Sequence, residues 1–275
     1  MIITAKALHL RQSRGEHFLP IDVREVAEWR QATLPGALHC NVYDYFIADS
    51  TEPDLAAMAA DADSALGPLL ATYPGATPVF FENQVGMRSP RGAWFAWLTG
   101  HDDALILDGG IEAWRAAGLP TLPGEGMQRT VAQRAPGVIP RWNRAWACTR
   151  QQVLEADGVT VINVDARRPG EFDGSFVHDC CPRAGRIPDA VLLFWEEVLA
   201  DGHFLPAEAI RQRAAAAGLN PGARLQVYCH RGARAATVLA ALRRAGFTQV
   251  SIYVGSWHEW AEHAELPLQR GTAAL

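Results

Sequence analysis

The chain has 275 residues, 49% of them hydrophobic, and its 30 acidic and 25 basic side chains leave a formal charge of −5. That length holds one large or two ordinary domains with real cores, the charge offers nothing to draw a nucleic acid, and no window approaches the 18 apolar residues of a membrane span. Five cysteines are too few, and odd in number, for a secreted disulfide framework, and the first fifteen residues lack the apolar core of a secretory signal, so a soluble protein of the reducing cytoplasm is expected.

Taken in order, the chain repeats itself. Asp22-Val23-Arg24 with Glu28-Trp29 returns as Asp165-Ala166-Arg167 with Glu171-Phe172. Leu34-Pro35-Gly36-Ala37 returns as Ile187-Pro188-Asp189-Ala190, and Gly109-Gly110-Ile111-Glu112-Ala113-Trp114 as Gly255-Ser256-Trp257-His258-Glu259-Trp260. Two copies of one fold account for this: domains at 1–122 and 143–275, joined by a linker at 123–142 that is rich in Gly, Pro and Arg and has no period. In the first copy the pattern predicts strands at 17–23, 37–42, 78–81 and 104–107, and helices at 25–31, 64–73, 91–99 and 111–117. In the second it predicts strands at 160–164, 190–193, 225–228 and 249–253. Helices there are expected at 150–156, behind Thr149 as N-cap, at 206–217 and at 235–245. Alternation of β and α at this spacing predicts an α/β class, each copy a mostly parallel sheet with helices on both faces.

One stretch carries chemistry. The apolar run to Tyr228 ends at Cys229, and His230-Arg231-Gly232-Ala233-Arg234-Ala235 follows before the helix-forming run. The first amides of a helix have no internal acceptor and favour an anion, and successive loop amides form a concave nest that does the same. With Arg231 and Arg234 beside it, Cys229 is expected to be a reactive thiolate in a positively charged cup. His230 is expected at the rim, with no acid–base role. Cys40, Cys148, Cys180 and Cys181 show no spacing that would hold zinc, and no metal or organic cofactor is expected. Cys180-Cys181 cannot easily bridge each other; a part in sulfur relay is left open, the plainer reading being two structural thiols.

Cys-His-Arg-Gly-Ala-Arg at Cys229–Arg234, with Gly255–Trp260 downstream and Asp165–Arg167 upstream, resembles the rhodanese sulfurtransferases in their tandem form, a silent domain before an active one. The resemblance implies two rhodanese-like domains and transfer of a sulfane sulfur from thiosulfate to cyanide or a thiol through a Cys229 persulfide. His230 to Ala235 would bind the substrate, Arg231 and Arg234 holding the anionic donor. Asp165 and Arg167 are expected to support the loop as an ion pair, and Trp195 to line the pocket, as an aromatic often does in the family. Aligned through the preceding strands, Glu82 stands where Cys229 stands. A carboxylate cannot take up sulfur, so the first copy is expected to be a structural partner, with its loop walling one side of a cleft.

The partners implied are a small sulfur donor, a thiol or cyanide acceptor and, in one variant, a sulfur-acceptor protein. No nucleic acid or membrane is involved, and a monomer is the default. Relatives specific for 3-mercaptopyruvate carry a less basic loop, yet vertebrate-type thiosulfate enzymes have an arginine about where Glu171 lies, so 3-mercaptopyruvate remains the alternative donor. Arg186 replaces the histidine usual in the family's Gly-His-Ile-Pro motif, and Val254 stands where many relatives have aspartate. A cysteine phosphatase would want Cys-x5-Arg, but Ala235 occupies that place and Arg234 comes one residue early. A non-catalytic sulfur carrier or regulatory binding module remains the reading from another class.

Overall fold

Short apolar runs separated by helix formers set the order of elements in the computed structural model, which describes residues 1–126, 128–133 and 142–271. The chain opens with β1 (Ile2–Thr4), α1 (Ala5–Ser13), β2 (Phe18–Asp22), α2 (Val26–Gln31), β3 (Leu38–Asn41) and α3 (Glu52–Thr72). It continues through β4 (Thr77–Phe81), α4 (Arg88–Leu98), β5 (Leu105–Asp108), α5 (Gly110–Ala116) and β6 (Gln128–Thr130). Then come α6 (Arg150–Leu154), β7 (Val161–Asp165), α7 (Pro169–Asp173), β8 (Val191–Leu192), and the short pair β9 (Leu199–Ala200) and β10 (His203–Phe204). The chain closes with α8 (Ala207–Ala216), β11 (Arg224–Tyr228), α9 (Ala233–Arg244), β12 (Val250–Ile252) and α10 (Ser256–Glu262).

Two compact units result. One comprises Met1–Tyr45, Ala56–Asn143 and Leu199–Phe204; the other comprises Phe46–Leu55, Arg144–Val198 and Leu205–Leu275. The first holds a parallel six-stranded sheet in the order β1-β5-β4-β2-β3-β6. The second holds a parallel four-stranded sheet in the order β12-β11-β7-β8. The central strands are buried nearly throughout, Pro78 to Phe81 in β4 and Leu225 to Tyr228 in β11. Such runs suit a parallel sheet covered on both faces. Helices α4 and α9, which follow those strands, are buried over most of their length. Alanines at 235, 236, 240 and 241 keep α9 thin enough to lie close against the sheet.

The strands lie within a residue or two of their expected places. Helices α7 and α10 and the β9–β10 pair were not expected, and other features differ as well. Residues 2–13 form β1 and α1, with Thr4 Oγ1 capping the helix by accepting from the Ala7 amide. Helix α3 starts at Glu52, not near residue 64, because Ala-rich turns precede the stretch that carries the clearer pattern. Within the expected linker, Gln128–Thr130 pairs in parallel with β3 as an edge strand; residues 127 and 134–141 of that linker lie outside the described residues. Among the described residues, no helix is long and apolar enough to cross a membrane.

Candidate active site

Strand β11 delivers the chain to Cys229 and α9 carries it away. Tyr228 pairs in register with Asp165, so Cys229 leaves the carboxyl edge of the central strands β11 and β7. The turn into α9 is made at Gly232, with φ of 82°. A Cβ there would stand 3.0 Å from both Cγ2 and the carbonyl oxygen of Val254, besides adopting a backbone L side chains rarely take. The first bond of the helix runs from the Ala236 amide to the Gly232 carbonyl at 3.3 Å. The amides of Ala233, Arg234 and Ala235 precede it, where helix geometry supplies no intrahelical acceptor.

Cys229 is buried, 1% exposed. Its N–H donates to Ser256 Oγ at 3.1 Å, and that hydroxyl donates to the Tyr253 carbonyl at 2.8 Å. The carbonyl of Cys229 accepts from the Trp257 amide and that of His230 from the His258 amide, each at 3.0 Å. Two consecutive carbonyls thus tie the loop to the first turn of α10. Ser256 adopts a φ of 57° to make this junction. The junction is braced in turn: the Gly255 amide donates to Ser50 Oγ at 3.0 Å, and the Ser50 amide to Glu259 Oε1 at 2.9 Å. Arg150 reaches both Glu259 (2.8 Å) and Asp49 (2.6 Å).

The first unit supplies an internal comparison. There β4 ends at Glu82, and Glu82 Oε1 accepts from the amides of Gly86 (3.0 Å), Arg88 (3.0 Å) and Ser89 (2.8 Å) and from the Ser89 hydroxyl (2.9 Å). The same two backbone ties recur, from the Ile111 amide to the Glu82 carbonyl and from the Glu112 amide to the Asn83 carbonyl. Burial pushes the Glu82 carboxyl up, and these hydrogen bonds pull it back. In the first unit the loop between central strand and buried helix therefore folds into a cup of donors that closes on a carboxylate of its own. Cys229 occupies the equivalent place in the second.

Asp165 and Arg167 are fully buried and form a pair at 2.6 Å; Asp165 Oδ1 also accepts from the Arg167 amide at 2.9 Å. Arg167 lies over the rings of Trp257 (4.6 Å) and Tyr228 (5.5 Å) and donates to the Gly185 carbonyl at 2.8 Å. The pair locks the ends of the central strands, as Asp22 and Arg24 do in the first unit. Trp195 is half-buried and hangs from the Ala166 carbonyl by its amide, at 3.2 Å.

Arg234 departs from expectation. Its guanidinium grips Glu171 with both terminal nitrogens, at 2.6 and 2.8 Å, so the group read as the holder of an anionic donor already has an anion. Burial opposes the Glu171 charge, yet the Arg234 fork holds that carboxyl at about 2. Burial likewise opposes charge on Arg234, whose pKa is raised by Glu171 and by the field of Cys229. Arg231 lies over the Phe46 ring at 5.1 Å.

His230 stacks on His178, ring centroids 4.3 Å apart, and its Nε2 stands 3.4 Å from Cys180 Sγ and 3.5 Å from Cys181 Sγ. Burial, then His178, Arg231 and Arg234, hold its pKa down to about 3, so the ring is neutral at physiological pH. Arg186, in place of the family's usual histidine, reaches the Gly271 carbonyl at 2.6 Å and lies 4.3 Å over the Phe172 ring. Sequence reading missed Ser256 and the Arg234–Glu171 fork. The first was signalled by the echo of Gly110, where a hydroxyl has been added; the fork had no signal beyond the charge of its members.

The family model for the rhodanese-like domain matches residues 4–117 and again 150–263. The chain belongs to the rhodanese family. It is a rhodanese-type transferase with two tandem domains. It is 35% identical over 200 residues to a probable 3-mercaptopyruvate sulfurtransferase of Pseudomonas aeruginosa, covering 70% of this chain and 67% of the relative. Over 190 residues it is 35% identical to the putative thiosulfate sulfurtransferase SseB of Mycobacterium tuberculosis, covering 67% and 64%. The chain thus spans about two thirds of the length of these relatives. The crystal structure of YnjE shares the fold, with a TM-score of 0.78 at 22% identity over 99% of this chain and 68% of that one.

Proposed function

We propose that this rhodanese moves a sulfane sulfur from thiosulfate to cyanide or a thiol through a persulfide on Cys229. The observation that supports the reading is the shared loop: the first domain's wraps the Glu82 carboxylate in amide donors, and Cys229 follows the equivalent strand of the second with the same two backbone ties. In the first half-reaction the Cys229 thiolate attacks the outer sulfur of thiosulfate. The new S–S bond forms as the old one breaks, and sulfite leaves with the electron pair. In the second half-reaction the acceptor attacks the terminal sulfur; cyanide becomes thiocyanate and the Cys229 thiolate returns. No net oxidation occurs, and the two halves require ping-pong kinetics. The helix amides at Ala233 to Ala235 stabilise the charge that moves between Cys229 and the outer sulfur.

The Arg234–Glu171 fork favours a second donor, 3-mercaptopyruvate, because it removes one free cation from a loop that would otherwise suit a dianion. The test is intact mass after exposure to each donor. A gain of one sulfur atom, removed by cyanide and absent in Cys229→Ser, is expected. An unchanged mass with both donors leaves a binding module in its place. Comparing kcat/KM for the two donors decides between them.

A further inference from the structure

The segment between α7 and β8 brings the adjacent Cys180 and Cys181 to the ring of His230, which lies 50 and 49 positions further along the chain. Their ligating atoms all lie within 4.8 Å of one another. A tetrahedral ion held about 2.3 Å from sulfur and about 2.0 Å from nitrogen sets sulfur and nitrogen ligands about 3.5 Å apart. The two sulfur–nitrogen distances here are 3.4 and 3.5 Å. Nε2 is the ring nitrogen that faces both sulfur atoms, and stacking on His178 fixes the plane of the ring. Cys180 is exposed and Cys181 buried, which leaves an approach from solvent on one side and a dry wall on the other.

We propose that Cys180, Cys181 and His230 form a binding site for a thiophilic divalent cation of the Zn2+ class, with the fourth position left to water. Binding displaces one proton from each thiol, so two protons are released per ion and the two thiolates cancel its charge.

Co2+ titration of the reduced, metal-free protein tests this. One equivalent is expected to give a thiolate-to-metal charge-transfer band with the strong visible bands of tetrahedral cobalt, both abolished by added Zn2+. The spectrum is expected to persist in Cys229→Ser, which separates it from the proposed activity. In Cys180→Ser, a change at the surface that spares the core, the charge-transfer intensity falls by about half. In His230→Asn the affinity falls about tenfold or more. Thermal melts of each variant check folding. A spectrum lacking the thiolate band, or one lost in Cys229→Ser and unchanged in Cys180→Ser, overturns the proposal.

Discussion

Ser256 holds the backbone of the nucleophile through one hydroxyl. Ser256→Ala leaves the buried Cys229 amide without its acceptor, which costs about 1–3 kcal/mol. A lower midpoint in urea is expected, together with a fall of about tenfold in the rate of Cys229 sulfur uptake. Glu171 poses the opposite case, a charge that quiets another. Glu171→Gln leaves Arg234 charged and half-buried, at a cost of roughly 3 kcal/mol in denaturant. It also releases the guanidinium toward the loop, so KM for thiosulfate is expected to fall while that for a neutral acceptor stays put. A KM for thiosulfate that rises would show that the fork itself shapes the pocket.

Among the elements, the junction from β11 to α9 depends on Gly232. Gly232→Ala forces a side chain into the left-handed region and against Val254, a strain on the order of 1–3 kcal/mol. Both urea stability and sulfur uptake should drop, because the loop amides are aimed by that turn. This junction was readable beforehand: an apolar run, a cysteine, a glycine and an alanine-rich run are neighbours in the chain, and local pattern determines local geometry. The edge strand at Gln128–Thr130 was not readable, since its residues have no apolar alternation and acquire strand form by pairing with β3. The long start of α3 escaped for a related reason, as alanine favours helix without marking a face.

At the scale of the molecule, two groups of the second unit make it acid-sensitive. The folded pKa of His230 lies at about 3, below its ordinary 6.5, so its contribution to stability is complete above that ordinary value and is lost as pH falls toward 3. Glu171, held at about 2 against an ordinary 4.5, contributes fully above 4.5 and loses that contribution as pH falls toward 2. Urea midpoints measured across pH should therefore decline from about 6.5 downward, with a steeper fall below about 4.5. His230→Gln is expected to flatten the upper part of the decline and leave the lower part. An unchanged profile in that variant would mean that the ring is not held neutral.

By itself the sequence determined the doubled α/β architecture, the places of the central strands and the cysteine at the end of one of them. All of these depend on periodicity and on residues adjacent in the chain. Only the tertiary structure decided that Arg234 faces Glu171, that Ser256 catches the Cys229 amide, and that Cys180 and Cys181 meet His230. Those pairings join segments far apart in the chain, and they follow from strand register and loop path, which leave no period in the sequence.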